Sequence, residues 1–143
     1  MIRPIIIFTT FWEANKIISV MPYSSQFKVH SIALSNPPMD KLDKIKEITR
    51  LDFFCPNWEI LRKYKEDHNW EAYTESFMQL MKGRNKEVID WFKTLEPNHR
   101  YFLCCWENTQ KGANCHRQLI YSALKKNEAL RSKYHLVYRH GNK

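Results

Sequence analysis

The sequence predicts an α/β domain, a mostly parallel sheet of about four strands flanked by helices. Two observations predict it. Short apolar runs rich in Ile, Val and Phe recur along the chain, and stretches with apolar residues at helical spacing lie between them. At 143 residues, with 43% hydrophobic and 14% aromatic side chains, residues 1–143 suit one domain with a sizeable core. No internal repeat or low-complexity tract breaks the pattern.

The elements follow in order. Pro4 to Thr9 (PIIIFT) is a continuous apolar run, the mark of a strand covered on both faces. A signal peptide would need a longer apolar region and a small-residue cleavage site, so a first strand is expected here. Phe11 to Val20 predicts a short helix. Phe27 to Leu34 (FKVHSIAL) predicts a second strand, stopped at Ser35-Asn36-Pro37-Pro38 because proline cannot donate to a ladder. Asp40 to Thr49 sets Leu42, Ile45 and Ile48 three residues apart and predicts an amphipathic helix.

The middle of the chain reads as helical. Asn57 is expected to cap a helix bearing Trp58, Leu61 and Tyr64 on one face. Asn69 caps the next, with Trp70, Tyr73, Phe77, Leu80 and Met81 at helical spacing, and Gly83 is expected as its left-handed end. Asn85 opens a third, which Pro97 terminates. These rings are expected in packing roles and not as a base-stacking platform. Arg100 to Glu107 predicts the third strand, followed by a polar loop, a helix capped by Asn114 and running to about Lys126, and a final strand at Tyr134 to Tyr138.

Charge narrows the partners. There are 23 basic and 15 acidic residues, a net +8 and a pI near 9.4, which favours an anionic ligand, nucleotide or nucleic acid. The basic part, 125–143, carries Lys125, Lys126, Arg131 and Lys133 as candidate nucleic-acid contacts; a solubilising surface is the alternative. No apolar run long enough to span a membrane occurs, so no membrane partner is expected. Three glycines exclude a glycine-rich phosphate loop. The four cysteines come without a secretion signal, which points to reduced thiols and a cytoplasmic setting.

The chemistry concentrates at Cys104 to Ile120 (CCWENTQKGANCHRQLI), a strand, a polar loop and a helix start. Ligands of open parallel sheets bind beyond the carboxyl ends of the strands. With Asn114 as the cap, Cys115, His116 and Arg117 open a helix whose free N–H groups favour an anion, and Arg117 adds a forked donor. A thiol placed there has its pKa lowered. Four readings stay open. A zinc site needs four ligands; Cys104 or Cys105 with Cys115 and His116 gives three, and Cys115 and His116 would diverge on a helix, so neither metal nor cofactor is expected. Cys115 as nucleophile with Glu107 or His116 as acid/base is the catalytic reading. Arg117 and Asn114 as an anion cradle is the third, and a plain strand-to-helix junction is the last.

Taken together, the elements resemble the domain of unknown function 488 family, which includes the YeaO-like proteins. The likeness rests on Ile7-Phe8-Thr9-Thr10-Phe11, on Ser31-Ile32-Ala33 before the prolines, on Tyr64-Lys65 with Trp70-Glu71-Ala72-Tyr73, and on Cys104-x-x-Glu107 followed by Cys115-His116-Arg117. The resemblance implies an α/β fold with a pocket at the strand ends, matched here by Thr9, Thr10, Glu107, Cys115, His116 and Arg117. It implies little about chemistry. Many relatives carry an arginine in the turn after the second strand, where this chain has Leu34-Ser35-Asn36; a weaker anion site or a changed ligand is implied. The expected function is an anion-binding domain with enzyme-like features. A non-catalytic nucleic-acid-binding module and a protein-protein interaction or inhibitor protein, which blocks or tethers a partner, are the alternatives.

Overall fold

The computed structural model describes residues 2–106 and 113–141. It contains β1 (Ile5–Thr10), α1 (Phe11–Val20), β2 (Gln26–Ser31), β3 (Thr49–Arg50), α2 (Trp58–Asp67), α3 (Trp70–Lys82), α4 (Asn85–Phe92), β4 (His99–Cys105), α5 (His116–Lys125), α6 (Glu128–Lys133) and β5 (His135–Tyr138). The five strands form one sheet in the order β3-β2-β4-β1-β5, every pairing parallel. The α/β class is therefore observed, with one strand more than expected, the two-residue β3.

The most apolar strands lie inside the sheet. Ile6, Phe8, Phe102 and Leu103 are fully buried in β1 and β4, where both faces must be covered. Thr10 ends β1 and starts α1, its hydroxyl accepting the Glu13 N–H at 3.2 Å. Asn57 and Asn69 cap α2 and α3 as their side chains predict. Among the described residues no helix is long and apolar enough to cross a membrane.

Several expectations change. No α-helix forms over 40–49; only a single tight turn at Met39–Lys41 does, before the chain enters β3. Leu42 and Ile45 are buried as their spacing suggested. The backbone between them is captured instead by Asn15, which accepts the Lys44 N–H at 2.9 Å and donates to Asp43 at 3.0 Å. Gly83 ends α3 with φ −75°, a right-handed conformation, because the chain turns directly into α4. Asn85 is the first residue of α4, and Arg84 occupies the cap.

Topology places the crevice. β2 and β4 are neighbours, yet the chain leaves β2 towards the β3 edge and leaves β4 towards the β5 edge. Diverging connections open a gap at the carboxyl ends of two adjacent strands, the preferred ligand position in such sheets. The β2 and β4 ends are tied across it by the Ile32 N–H to Cys104 carbonyl bond, 3.0 Å, and by Trp106 Nε1 donating to the Ser35 carbonyl, 2.9 Å.

Candidate active site

A cleft of about 300 Å³ occupies this gap. Ala33, Leu34 and Ser35 line it from the β2 side, Cys105 and Trp106 from β4, and Asn114, Cys115 and His116 from the start of α5. Trp58, Tyr64, Lys65, Trp70 and Tyr73 of α2 and α3 form the outer wall. Along α3 the rings run inward: Trp70 stacks on Tyr73 at 5.0 Å, Tyr73 on Phe77 at 6.1 Å, and Phe77 meets the His116 ring edge-on at 5.3 Å. A larger cleft of about 710 Å³ lies between α3, α4, α5 and α6, but it is lined by apolar groups, amides and lysines, with neither nucleophile nor carboxylate. The smaller cleft carries the chemistry.

At its floor three groups converge. The Cys115 and Cys105 sulfurs stand 2.9 Å apart. His116 Nδ1 lies 3.8 Å from the Cys115 sulfur and 3.9 Å from that of Cys105. On the other side of the ring, Nε2 donates to the Ile32 carbonyl at 2.6 Å, so the backbone of the β2 end fixes the imidazole and turns Nδ1 to the thiols.

This meeting depends on where the helix begins. Cys115, not Asn114, is the N-cap of α5, with extended φ −143° and ψ 141°. Its N–H donates to Gln118 Oε1 at 2.7 Å. Cysteine is a poor capping residue from sequence alone, which hid the register. With Cys115 extended and His116 the first helical residue, the two side chains converge, Sγ to Nδ1 3.8 Å, where two helical neighbours would diverge.

Arg117 is fully buried and does not line the cleft. Its Nη2 donates to the His140 carbonyl at 2.8 Å, and the guanidinium sits 5.5 Å from the Tyr138 ring centre. Nε and Nη1 have no hydrogen-bonding partner among the described residues. Arg117 thus faces inward behind Cys115, where the sequence had it reaching for a ligand.

The electrostatics follow from this packing. Burial by itself pushes the Cys115 thiol up. The hydrogen bond with Cys105, the charge and hydrogen bond of His116, and the charge of Arg117 outweigh it and hold the thiol well below the ordinary cysteine range. Burial likewise works against the Arg117 charge, but Cys115, Tyr138 and Cys105 more than offset it. The other two cysteines behave oppositely. Burial drives the Cys104 thiol far up, Arg117 opposing it only in part, and pushes the Cys55 thiol up to about 11.

The remaining candidates are dispersed. Thr9 and Thr10 are buried below the strand ends; Thr9 donates to Glu13 at 2.9 Å and Thr10 caps α1. Glu107 lies outside the described residues. Lys125, Lys126, Arg131 and Lys133 are exposed on the last turn of α5 and on α6. That end is far from the thiols, since a ten-residue helix spans about 15 Å. Arg3, just before β1, donates to the Arg131 carbonyl at 2.9 Å, which fixes it at the amino ends of the strands. The sequence offered Cys105 only as an alternative to Cys104 in a metal set and missed the Tyr73 ring as part of the site; strand alternation sends the two cysteines to opposite faces without saying which one meets Cys115.

Cys105, Cys115 and His116 are also the one group among the described residues with a geometry close to metal ligation, their donor atoms all within 4.8 Å. Two thiolates on a tetrahedral zinc at about 2.3 Å stand roughly 3.8 Å apart. Sulfurs at 2.9 Å must spread to admit an ion, and the group offers three ligands, not four.

Residues 44–128 match the family model DUF488-N3a, the active DUF488-N3 subclade. The chain belongs to this family. The matched stretch includes the α2–α3 wall, Cys105, and Cys115-His116-Arg117, so almost the whole cleft is DUF488-N3a structure. No curated protein and no solved structure matches the chain.

Proposed function

We propose that this DUF488-N3a domain is an enzyme acting on an anionic ligand that carries a flat ring, a nucleotide or a nucleic-acid end, with Cys115 as nucleophile. The observation that carries the reading is the convergence of the Cys115 sulfur, whose pKa its neighbours hold well below the ordinary thiol range, with His116 Nδ1 on the floor of an aromatic cleft. The thiolate attacks the electrophilic centre of the ligand, and the bond to the leaving group breaks as His116 Nδ1 supplies it a proton. Water then releases the covalent intermediate. The N–H groups opening α5, with Asn114 and Lys65, hold the negative charge. Trp58, Trp70 and Trp106 bracket the ring. Arg117 acts through Cys115, stabilising the thiolate from behind. Glu107, next along from Trp106, is a second acid/base candidate, and Thr9 and Thr10 support the floor. The family description, an active subclade, agrees with catalysis.

The test is a screen of nucleotides and short oligonucleotides for turnover and for a mass adduct on Cys115. An adduct lost in Cys115→Ser supports the reading; binding and turnover unchanged in Cys115→Ser end it.

A second reading rests on the exposed Lys125, Lys126, Arg131 and Lys133 at the far end of α5 and α6. A nucleic-acid backbone bound there would give a log–log salt slope of roughly −0.9 per duplex phosphate neutralised. Binding that survives replacement of all four cations by Ala with an unchanged slope removes it.

A further inference from the structure

We infer that Cys105 is the resolving partner of Cys115, and that the two form a reversible disulfide when a peroxide enters the cleft. Two sulfurs from different elements, β4 and the cap of α5, face each other at 2.9 Å, and closing to an S–S bond asks for roughly 0.9 Å of movement. The other thiols cannot compete for Cys115: Cys104 points to the opposite face of β4, and Cys55 is engaged with the carbonyls of Leu51, 3.5 Å, and Ala33, 3.7 Å. Cys105 and Cys115 both line the cleft, and a peroxide is a small enough guest for a space of about 300 Å³.

The Cys115 thiolate attacks one peroxide oxygen; an S–O bond forms, the O–O bond breaks, and the departing hydroxide takes a proton from His116 Nδ1 to leave as water. Cys115 is then a sulfenic acid. The Cys105 thiol passes its proton to His116 Nδ1 and attacks the Cys115 sulfur; the S–S bond forms, the S–O bond breaks, and hydroxide recovers the proton as a second water. The Cys115 thiolate and the Cys105 thiol are oxidised, one peroxide is reduced to two waters, and His116 ends one proton poorer, having given up the proton that balanced the thiolate. A small dithiol reverses the change by exchange. The disulfide ties up the nucleophile, so the cleft is switched off without unfolding. The pairing stands on geometry alone; its consequence for activity rests on the reading of Cys115 as nucleophile.

The test treats the full chain in its native state with stoichiometric hydrogen peroxide, denatures it, alkylates the remaining thiols and measures intact and peptide masses. The expected result is a fall from four alkylatable cysteines to two, a peptide linking residues 105 and 115, and full reversal by dithiothreitol. In Cys105→Ser the expected product is a Cys115 sulfenic acid trapped by a dimedone-type probe, with no link. Four alkylatable thiols after peroxide, a link through Cys55 or Cys104, or wild-type Cys115 driven to sulfinic acid beside an alkylatable Cys105 would overturn the inference. A disulfide formed in a protein that turns over none of the ligands tested would leave the pairing standing and count against the proposed enzyme alone.

Discussion

The two ends of α5 hold cations in opposite circumstances. At its start Arg117 is wholly buried, gives Nη2 to the His140 carbonyl, and lies behind a thiol whose charge it supports. At its end Lys125 is exposed and satisfied locally by the Tyr121 hydroxyl at 2.8 Å. Equal formal charges do different work because the dielectric around them differs. A buried guanidinium couples strongly to whatever shares its cavity, while an exposed ammonium is screened. The thiols repeat the lesson one residue apart on β4: Cys104 is insulated on one face, and Cys105 meets Cys115 and His116 on the other.

The sharpest way to break this contrast is Arg117→Ala. It opens a cavity, removes the donor to the His140 carbonyl and removes the cation behind Cys115, so a loss of about 3–5 kcal/mol in urea unfolding is expected. The paired change Lys125→Ala should stay within about 0.5 kcal/mol. A loss of equal size at both positions would dissolve the distinction.

A second prediction concerns the acid limb of stability. Burial lowers the His30 pKa from 6.5 to about 4, against the opposing bond to Thr49. Its folded pKa is depressed, so the unfolded chain takes up the proton first. Its contribution is intact above about 6.5 and lost as pH falls towards about 4, by up to about 3 kcal/mol in all. Denaturant melts across that window should show the loss in the wild type and much less of it in His30→Phe.

A third concerns the segment after β5, which packs on Thr10 and accepts from Arg117. After β5 the Arg139 N–H donates to the Phe8 carbonyl at 2.8 Å, its Nε meets Glu13 at 2.6 Å, and Gly141 passes over Thr10 with φ +89°. A Cβ there would clash with Thr10 Cγ2. Gly141→Ala is therefore expected to lower stability by about 1–3 kcal/mol, measured by thermal melting, and to loosen the carbonyl that Arg117 holds.

The smallest effect is expected at the far end. Replacing Lys125, Lys126, Arg131 and Lys133 by Ala should leave thiol reactivity unchanged, since about 15 Å of helix and bulk solvent separate them from Cys115. A shift in the Cys115 pH profile in that variant would connect the two ends after all.

Much of the fold was legible because it rests on local signals. The apolar runs of β1 and β4, Asn57 and Asn69 as caps, and the Trp70–Tyr73–Phe77 spacing all speak for themselves. The helix expected over 40–49 failed because its decisive partner, Asn15, lies some 30 residues away, and no local pattern reports it. At the site, the Cys115-His116-Arg117 triplet and its strand-to-helix setting could be read. The helix register could not, because a cysteine cap supported by Gln118 carries little propensity signal. That single residue of register decides whether Cys115 and His116 meet. Arg117 turning inward was equally hidden, since its partner is a backbone carbonyl contributed by the C-terminal end of the chain.

The central claim is that Cys115 is a thiolate by virtue of what surrounds it. Alkylation of the folded protein by iodoacetamide across a pH series, with each cysteine resolved by peptide mass, tests it directly. The account predicts that Cys115 alkylates with a midpoint well below the free-thiol value of about 8.5, that the midpoint rises in a folded Arg117→Met, and that Cys55 and Cys104 stay unmodified until the protein unfolds. A Cys115 that titrates at or above that value, or that reacts only on unfolding along with Cys104, would contradict it.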